Sequence, residues 1–204
     1  MKIICIGRNY VAHAVELGNE VPTEPVFFLK PDTSLLRQNK PFTIPEWTRE
    51  VHHEIELVLK IRHTGKNIAK ESAGHHIGEI GLGIDFTARD IQNQLKASGL
   101  PWEKAKAFDQ AAVLGSVFLS PDEFSDLKSI TFSLIRNGTM VQSGNSGLMI
   151  YGFDDIIHHV SRYITLKKGD LIYTGTPAGV GPVSRGDHLE GFIGNDKILD
   201  LQVK

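Results

Sequence analysis

The chain reads as a β-dominant α+β fold. Residues 54–61 alternate strictly, with Ile55, Leu57, Leu59 and Ile61 on one face and Glu54, Glu56, Val58 and Lys60 on the other, which is the period of a strand. Asn137-Gly138 stands between two apolar-rich runs, 130–136 and 139–142, a strong short-range hairpin signal. The strands are not separated by the regular crossover helices that a parallel α/β sheet needs.

Taken in order, residues 3–6 form a short buried strand. Asn9 is placed to cap a short helix over 10–17, closed by Gly18. The apolar run 26–29 is a strand stopped by Lys30-Pro31, and Pro41 and Pro45 punctuate a loop before the alternating strand. A helical stretch follows Asn67, then a Gly-rich buried strand over 80–84. Thr87 is placed to cap a helix over 88–97, with Asp90 three residues on and Gly99 and Pro101 closing it. Ile156, Ile157, Val160, Tyr163 and Ile164 recur at helical spacing, so 154–163 is an amphipathic helix. A strand over 171–174 leads into the Gly/Pro-rich loop 175–182. The chain ends as a hairpin turning near Gly194-Asn195-Asp196.

The chain has 204 residues, 41% hydrophobic and 23% charged, with a net charge of −2. That is ordinary globular usage. It excludes disorder, collagen and coiled coil, and leaves no broad basic field for nucleic acid or an anionic membrane. Cys5 is alone, so no intrachain disulfide forms. No apolar run approaches a membrane span, and the one at the N-terminus is too short for a signal peptide. With no linker or repeat, the expectation is a single domain over 1–204 in the cytoplasm.

The chemistry concentrates in the acids. Glu54 and Glu56 project from one strand face with Cα atoms about 6.6 Å apart. Neighbouring carboxylates repel unless solvated or bridged by a cation. A solvated outer face is the plainer alternative. Asp85 ends the apolar run 80–84 where a strand hands over to a helix, a usual place for a site residue. The three acids together make an oxygen set suited to a hard divalent ion. His13 and Glu16, at i and i+3, share a helix face; they make either a general base with its orienting carboxylate or a surface pair, and spacing alone favours the latter. Lys106 could balance the acids or sit in solvent. Thr176, in a loop that allows close backbone approach, offers a hydroxyl and an N–H. The adjacent pairs His52-His53, His75-His76 and His158-His159 lack the spacing of a zinc motif and read as satisfied or surface histidines.

A series of motifs runs nearly end to end in one order. They are Gly7-Arg8-Asn9-Tyr10 with His13 and Glu16, Phe28-Leu29-Lys30-Pro31, His52-His53-Glu54-Ile55-Glu56-Leu57, Asp85-Phe86-Thr87-Ala88-Arg89-Asp90-Ile91-Gln92, Lys106-Ala107-Phe108-Asp109, Gln142-Ser143-Gly144-Asn145-Ser146 and Gly169 through Pro182. The sequence resembles the fumarylacetoacetate hydrolase family in its short single-domain branch of acylpyruvate hydrolases, oxaloacetate decarboxylases and hydroxyheptadienedioate-type isomerases. It departs from the family pattern at 110–115 and at Gly147-Leu148, outside the acids.

The resemblance implies mixed strands rolled into a barrel-like core with a few short helices, in a homodimer. It implies Mg²⁺ or Mn²⁺, with Ca²⁺ as a further candidate, held by Glu54, Glu56 and Asp85. It assigns His13 and Glu16 as a catalytic dyad on a mobile lid over 9–20, and Lys106 as a catalytic group near the metal. Arg8, Tyr10, Gln92 and Thr176 are assigned to the carboxylate and oxo groups of a small 2-oxo or 2,4-dioxo acid. The expected activity is metal-dependent C–C hydrolysis of acylpyruvate-type acids through a stabilised enolate. Oxaloacetate decarboxylation or dienedioate isomerisation on the same site are the enzyme alternatives, and a non-catalytic metal-binding module is the alternative of another class.

Overall fold

The computed structural model describes residues 1–204 apart from 17, 19 and 37–39. Its elements are β1 (Ile3–Gly7), α1 (Val11–Glu16), β2 (Val26–Lys30), β3 (Leu35–Leu36), β4 (Val51–His53), β5 (Ile55–Ile61) and β6 (Ile77–Asp85). Then come β7 (Thr87–Ala88), α2 (Arg89–Ala97), α3 (Glu103–Lys106), β8 (Ala112–Leu114), β9 (Thr131–Arg136) and β10 (Thr139–Asn145). The chain finishes with α4 (Phe153–Tyr163), β11 (Leu171–Tyr173), β12 (Gly181–Pro182), β13 (His188–Ile193) and β14 (Asp196–Gln202). Among the described residues no helix is long and apolar enough to cross a membrane.

The expected strand-rich α+β architecture holds. A seven-stranded sheet runs β2-β1-β11-β5-β6-β8-β3 and curls into a half-barrel. It is mixed: β1–β11 and β3–β8 pair parallel, its other neighbours antiparallel. A four-stranded sheet, β10-β9-β13-β14, closes over it, and a small β12-β4-β7 sheet stands beside them. Leu57, Leu59, Ile80 and Leu82 of the large sheet join Leu134, Leu189, Leu199 and Leu201 of the second in one core. That apolar burial is the main force holding the two sheets together.

Both hairpins form where expected. Asn137 and Gly138 both have positive φ, 52° and 78°, the pair of values a type I′ turn requires. Gly194 turns β13 into β14 at φ 56°. The amphipathic helix is α4, which buries Phe153, Ile156, Ile157 and Val160. The helical stretch expected after Asn67 is a 3₁₀ helix over Lys70–His76. Of the helix expected over 10–17, Val11–Glu16 is helical and Leu17 lies outside the described residues.

Three local expectations are overturned. Asn9 does not cap α1. Its Nδ2 donates to the Tyr151 carbonyl (3.0 Å) and the Thr174 carbonyl (2.8 Å), and its Oδ1 accepts from the Tyr151 N–H (2.8 Å); buried carbonyls outcompete a short helix for the side chain. Thr87 does not cap α2, because its hydroxyl donates to Glu54 instead. Glu54 does not open the alternating strand. It sits between β4 and β5, which belong to different sheets.

The polar face of β5 is also not solvated. Val58 packs with Ile3, Cys5, Leu171 and Tyr173 in a second core, so the curl of the sheet encloses the face that carries Glu56. Gly83 lies opposite Glu56 in the β5–β6 register. A Cβ there would come within 2.6 Å of the Tyr173 ring and the Val113 carbonyl, so only glycine lets β6 pack this close to the Tyr173 ring and β8.

Candidate active site

The site grows from three strand ends. Glu54 occupies the β4–β5 junction, Glu56 follows on β5, and Asp85 ends β6, where its N–H donates to the Glu54 carbonyl (2.9 Å). The three are 5%, 2% and 1% exposed. Each offers a carboxylate oxygen within 4.8 Å of the others. Oxygen ligands bind Mg²⁺ at about 2.1 Å and Ca²⁺ at about 2.3–2.6 Å, so one ion can touch all three, and the donor set suits such a hard ion.

Each acid is oriented by a donor. Glu54 Oε1 accepts from Thr87 Oγ1 (3.0 Å) and Arg89 (2.6 Å), and Oε2 accepts from Lys106 Nζ (2.7 Å). Lys106 also reaches Asp85 Oδ2 (2.8 Å), while Lys30 Nζ lies 2.6 Å from Asp85 Oδ1. Glu56 Oε2 accepts from the Gly175 N–H (2.7 Å). A carboxylate oxygen carries two lone pairs, so these contacts leave acceptor capacity toward the centre of the cluster.

The electrostatics separate the acids. Burial pushes Glu54 up, but Lys106 and Arg89 outweigh it and hold the carboxyl well below the usual range. Glu56 is raised well above that range, first by burial and then by Asp85 and Glu54. A carboxylate crowded by two others is the position a cation relieves. Lys106 is held firmly protonated: burial lowers its pKa, and the two acids it touches more than reverse this.

α1 covers the cluster from one side. His13 is 6% exposed, so spacing misleads in suggesting a surface pair. Its Nδ1 lies 3.3 Å from Glu16 Oε2, and Glu16 Oε1 accepts from the Gly179 N–H (3.0 Å). The Glu16 carboxylate therefore ties the helix to the 175–182 loop as well as to the imidazole. Burial lowers the His13 pKa, with Glu54 and Glu16 only partly opposing, so the ring is neutral at pH 7 and can accept a proton.

His13, Arg8, Gln92, Lys106 and Thr176 line one cleft with the three acids. Arg8 adopts φ 58°, a strained conformation for a side-chain-bearing residue. Gln92 Oε1 accepts from Arg89 (2.6 Å), leaving its amide N–H groups for a ligand. The Thr176 hydroxyl is already engaged, donating to the Ile55 carbonyl and accepting from Gln142, both at 2.9 Å. Tyr10 is not a cleft-lining residue; it is buried edge-on against Phe132, and its hydroxyl lacks a hydrogen-bond partner. Burial and nearby Glu56 raise its pKa.

Several residues that position the site stand within the motifs above but have no role assigned to them there. Lys30 looks like a strand stop, yet it is fully buried and donates to the Phe86, Lys106 and Ala111 carbonyls besides pairing with Asp85. Arg89 binds Glu54, Gln92 and His52. Gln142 uses its whole amide: Oε1 accepts from the Ile55 N–H (3.1 Å) and lies 2.9 Å from His53 Nδ1, and Nε2 donates to Thr176 and the Pro177 carbonyl. His188, Glu190 and Asp200 form a second, half-exposed group, bridged by the Lys197 ammonium.

Residues 2–202 match the family model described as fumarylacetoacetate (FAA) hydrolase, C-terminal. An oxaloacetate tautomerase of Escherichia coli is 43% identical over 189 residues, 92% of this chain and 86% of that protein. A mitochondrial oxaloacetate decarboxylase of Dictyostelium discoideum is 40% identical over 204 residues, covering 99% and 93%. The crystal structure of fumarylpyruvate hydrolase from Pseudomonas aeruginosa, in complex with Mn²⁺ and pyruvate, superposes with a TM-score of 0.93 at 34% identity over 100% of this chain and 89% of that one. On the match over residues 2–202, the chain belongs to the fumarylacetoacetate hydrolase family.

Proposed function

We propose that this chain is a divalent-metal-dependent enzyme that turns over small 2-oxo acids by moving charge between a carbon and the adjacent oxo group, with oxaloacetate as the first substrate to assay. The observation that carries the reading is three buried carboxylates within 4.8 Å of one another beside a buried, neutral His13 backed by Glu16.

In this reading Glu54, Glu56 and Asp85 hold Mg²⁺ or Mn²⁺, which supplies Lewis-acid stabilisation of an enolate when bound. His13 Nε2 takes the proton from the carbon next to the oxo group. Glu16 orients the ring through Nδ1 and stabilises the imidazolium that forms. Lys106 neutralises the acid cluster and offers an N–H to charge developing on the substrate oxygen. The Gln92 amide binds the substrate's oxo group and Arg8 a substrate carboxylate away from the metal, with the Thr176 backbone completing the wall. Tautomerisation moves that proton from the carbon to the oxo oxygen of the same substrate; in decarboxylation the bond to the leaving CO₂ breaks in place of the C–H bond, its electron pair forms the enolate, and the carbon takes a proton from solvent.

C–C hydrolysis of acylpyruvate-type acids is the second reading. It is favoured by the same dyad, which can activate a water, and by the likeness to fumarylpyruvate hydrolase. Residues 1–204 are read as one catalytic domain with α1 as its lid, working as a cytoplasmic homodimer.

Purified protein with Mg²⁺ or Mn²⁺ is assayed side by side on oxaloacetate enol–keto conversion, oxaloacetate decarboxylation and acetylpyruvate cleavage. Turnover abolished by EDTA and by His13→Ala supports the reading, and the preferred substrate selects the reaction. Turnover that is indifferent to EDTA contradicts it.

A further inference from the structure

Five basic side chains surround the acid cluster, and they fall into two groups. Lys30, Arg89 and Lys106 pair with Asp85 and Glu54. Arg8 and Lys96 also face the cleft, and among the described residues no carboxylate lies within ion-pair distance of either. Lys96 follows Gln92 by one helical turn of α2, so the two side chains emerge on the same face. Its ammonium lies 5.7 Å from the centroid of Trp102, another wall of the cleft. A ring face directs a cation without neutralising it. Half-burial, then Arg89, Arg8 and Lys106, lower the Lys96 pKa, with Glu54 only partly opposing, the effect expected where like charges outweigh the nearby acid.

The cleft therefore holds two kinds of charge. Its carboxylates would hold a metal and, through it, the 2-oxo and first carboxylate groups of a substrate. Beside them stand two cations that, among the described residues, have no ion-pair partner. A monocarboxylic acid would leave them unpaired, whereas a second carboxylate on the substrate's far end supplies the missing anion.

We propose that Lys96, steadied on Trp102 and assisted by Arg8, receives the distal carboxylate of a 2-oxo dicarboxylic acid and so sets a preference for diacids over monoacids. The proposal rests on the 2-oxo acid reading above and adds to it a residue that chooses among such acids.

Calorimetric titration of the Mg²⁺-loaded protein with L-malate and with 2-hydroxybutanoate tests it. These are unreactive four-carbon 2-hydroxy acids that differ by the second carboxylate. The wild type is expected to bind malate roughly 10- to 100-fold more tightly, the range of a hydrogen bond to a charged group. Lys96→Met keeps the apolar stem over Trp102 and erases that ratio, while Lys96→Arg retains it. A ratio unchanged in Lys96→Met, or a wild type that binds both acids alike, overturns the role of Lys96 and leaves the metal-site reading standing. Binding of neither acid overturns the metal-site reading and this proposal with it.

Discussion

Lys30→Met tests whether the acid cluster depends on a buried counter-ion. The Lys30 side chain is fully buried, with Nζ 2.6 Å from Asp85 Oδ1 and hydrogen bonds to the Phe86, Lys106 and Ala111 carbonyls. Methionine keeps the length and apolar character of the stem and removes the charge and every donor. Among the described residues, Asp85 is left with Lys106 as its one ion-pair partner at 2.8 Å. Breaking a buried ion pair by deleting one member costs about 3–5 kcal/mol. For a chain of this size each kcal/mol lowers Tm by about 2–4 °C, so the expected loss is roughly 6–20 °C by differential scanning calorimetry. Saturating Mn²⁺ is expected to recover part of it, because a bound cation replaces the missing charge and binds only the folded chain. A loss of less than about 2 °C would refute the reasoning, since it would show that Asp85 is adequately held without Lys30.

Three further outcomes follow from the same contacts. In the wild type the acid limb of the rate profile lies below the ordinary histidine pKa, because burial lowers that of His13 and the ring must be neutral to act. Glu16 opposes that lowering, so Glu16→Gln is expected to shift the limb to still lower pH; a shift upward contradicts the assignment of Glu16 as its partner. Gly175 has φ 101°, and a Cβ there would lie 2.7 Å from Asn9 Cβ, so Gly175→Ala is expected to cost about 1–3 kcal/mol and to weaken Mn²⁺ binding by displacing the N–H that holds Glu56. Asn9→Ala strands the Tyr151 N–H and the Thr174 carbonyl at about 1–3 kcal/mol each; an unchanged Tm would show that Asn9 does not brace the start of α1.

The acids are legible because Glu54 and Glu56 stand two apart at the head of an alternating run and Asp85 ends an apolar one, although Glu54 itself lies between two strands. What covers the face that carries Glu56 is not. Its enclosure comes from β1 and β11, far along the chain, whose Cys5 and Tyr173 pack beside Val58. Element ends are legible where backbone conformation dictates the residue, as at Asn137-Gly138, and not where a polar side chain has a choice of partners. Asn9 and Thr87 look like helix caps by local rules, but buried long-range acceptors claim both. Lys30 and Arg89 show no sign in the sequence of being counter-ions for the same reason: a charge pair across the fold leaves no spacing to read. Spacing also could not tell a surface His13–Glu16 pair from a covered one, because α1 is too short to show an apolar face.

Mn²⁺ binding measured by calorimetry on the wild type, Glu56→Gln and Asp85→Asn tests the central claim most directly. The account predicts one site per chain in the wild type and a loss of at least about 100-fold in affinity, roughly 2.7 kcal/mol, when either carboxylate becomes an amide. Wild-type affinity retained in both variants would contradict it, since the ion would then bind somewhere other than the cluster of Glu54, Glu56 and Asp85.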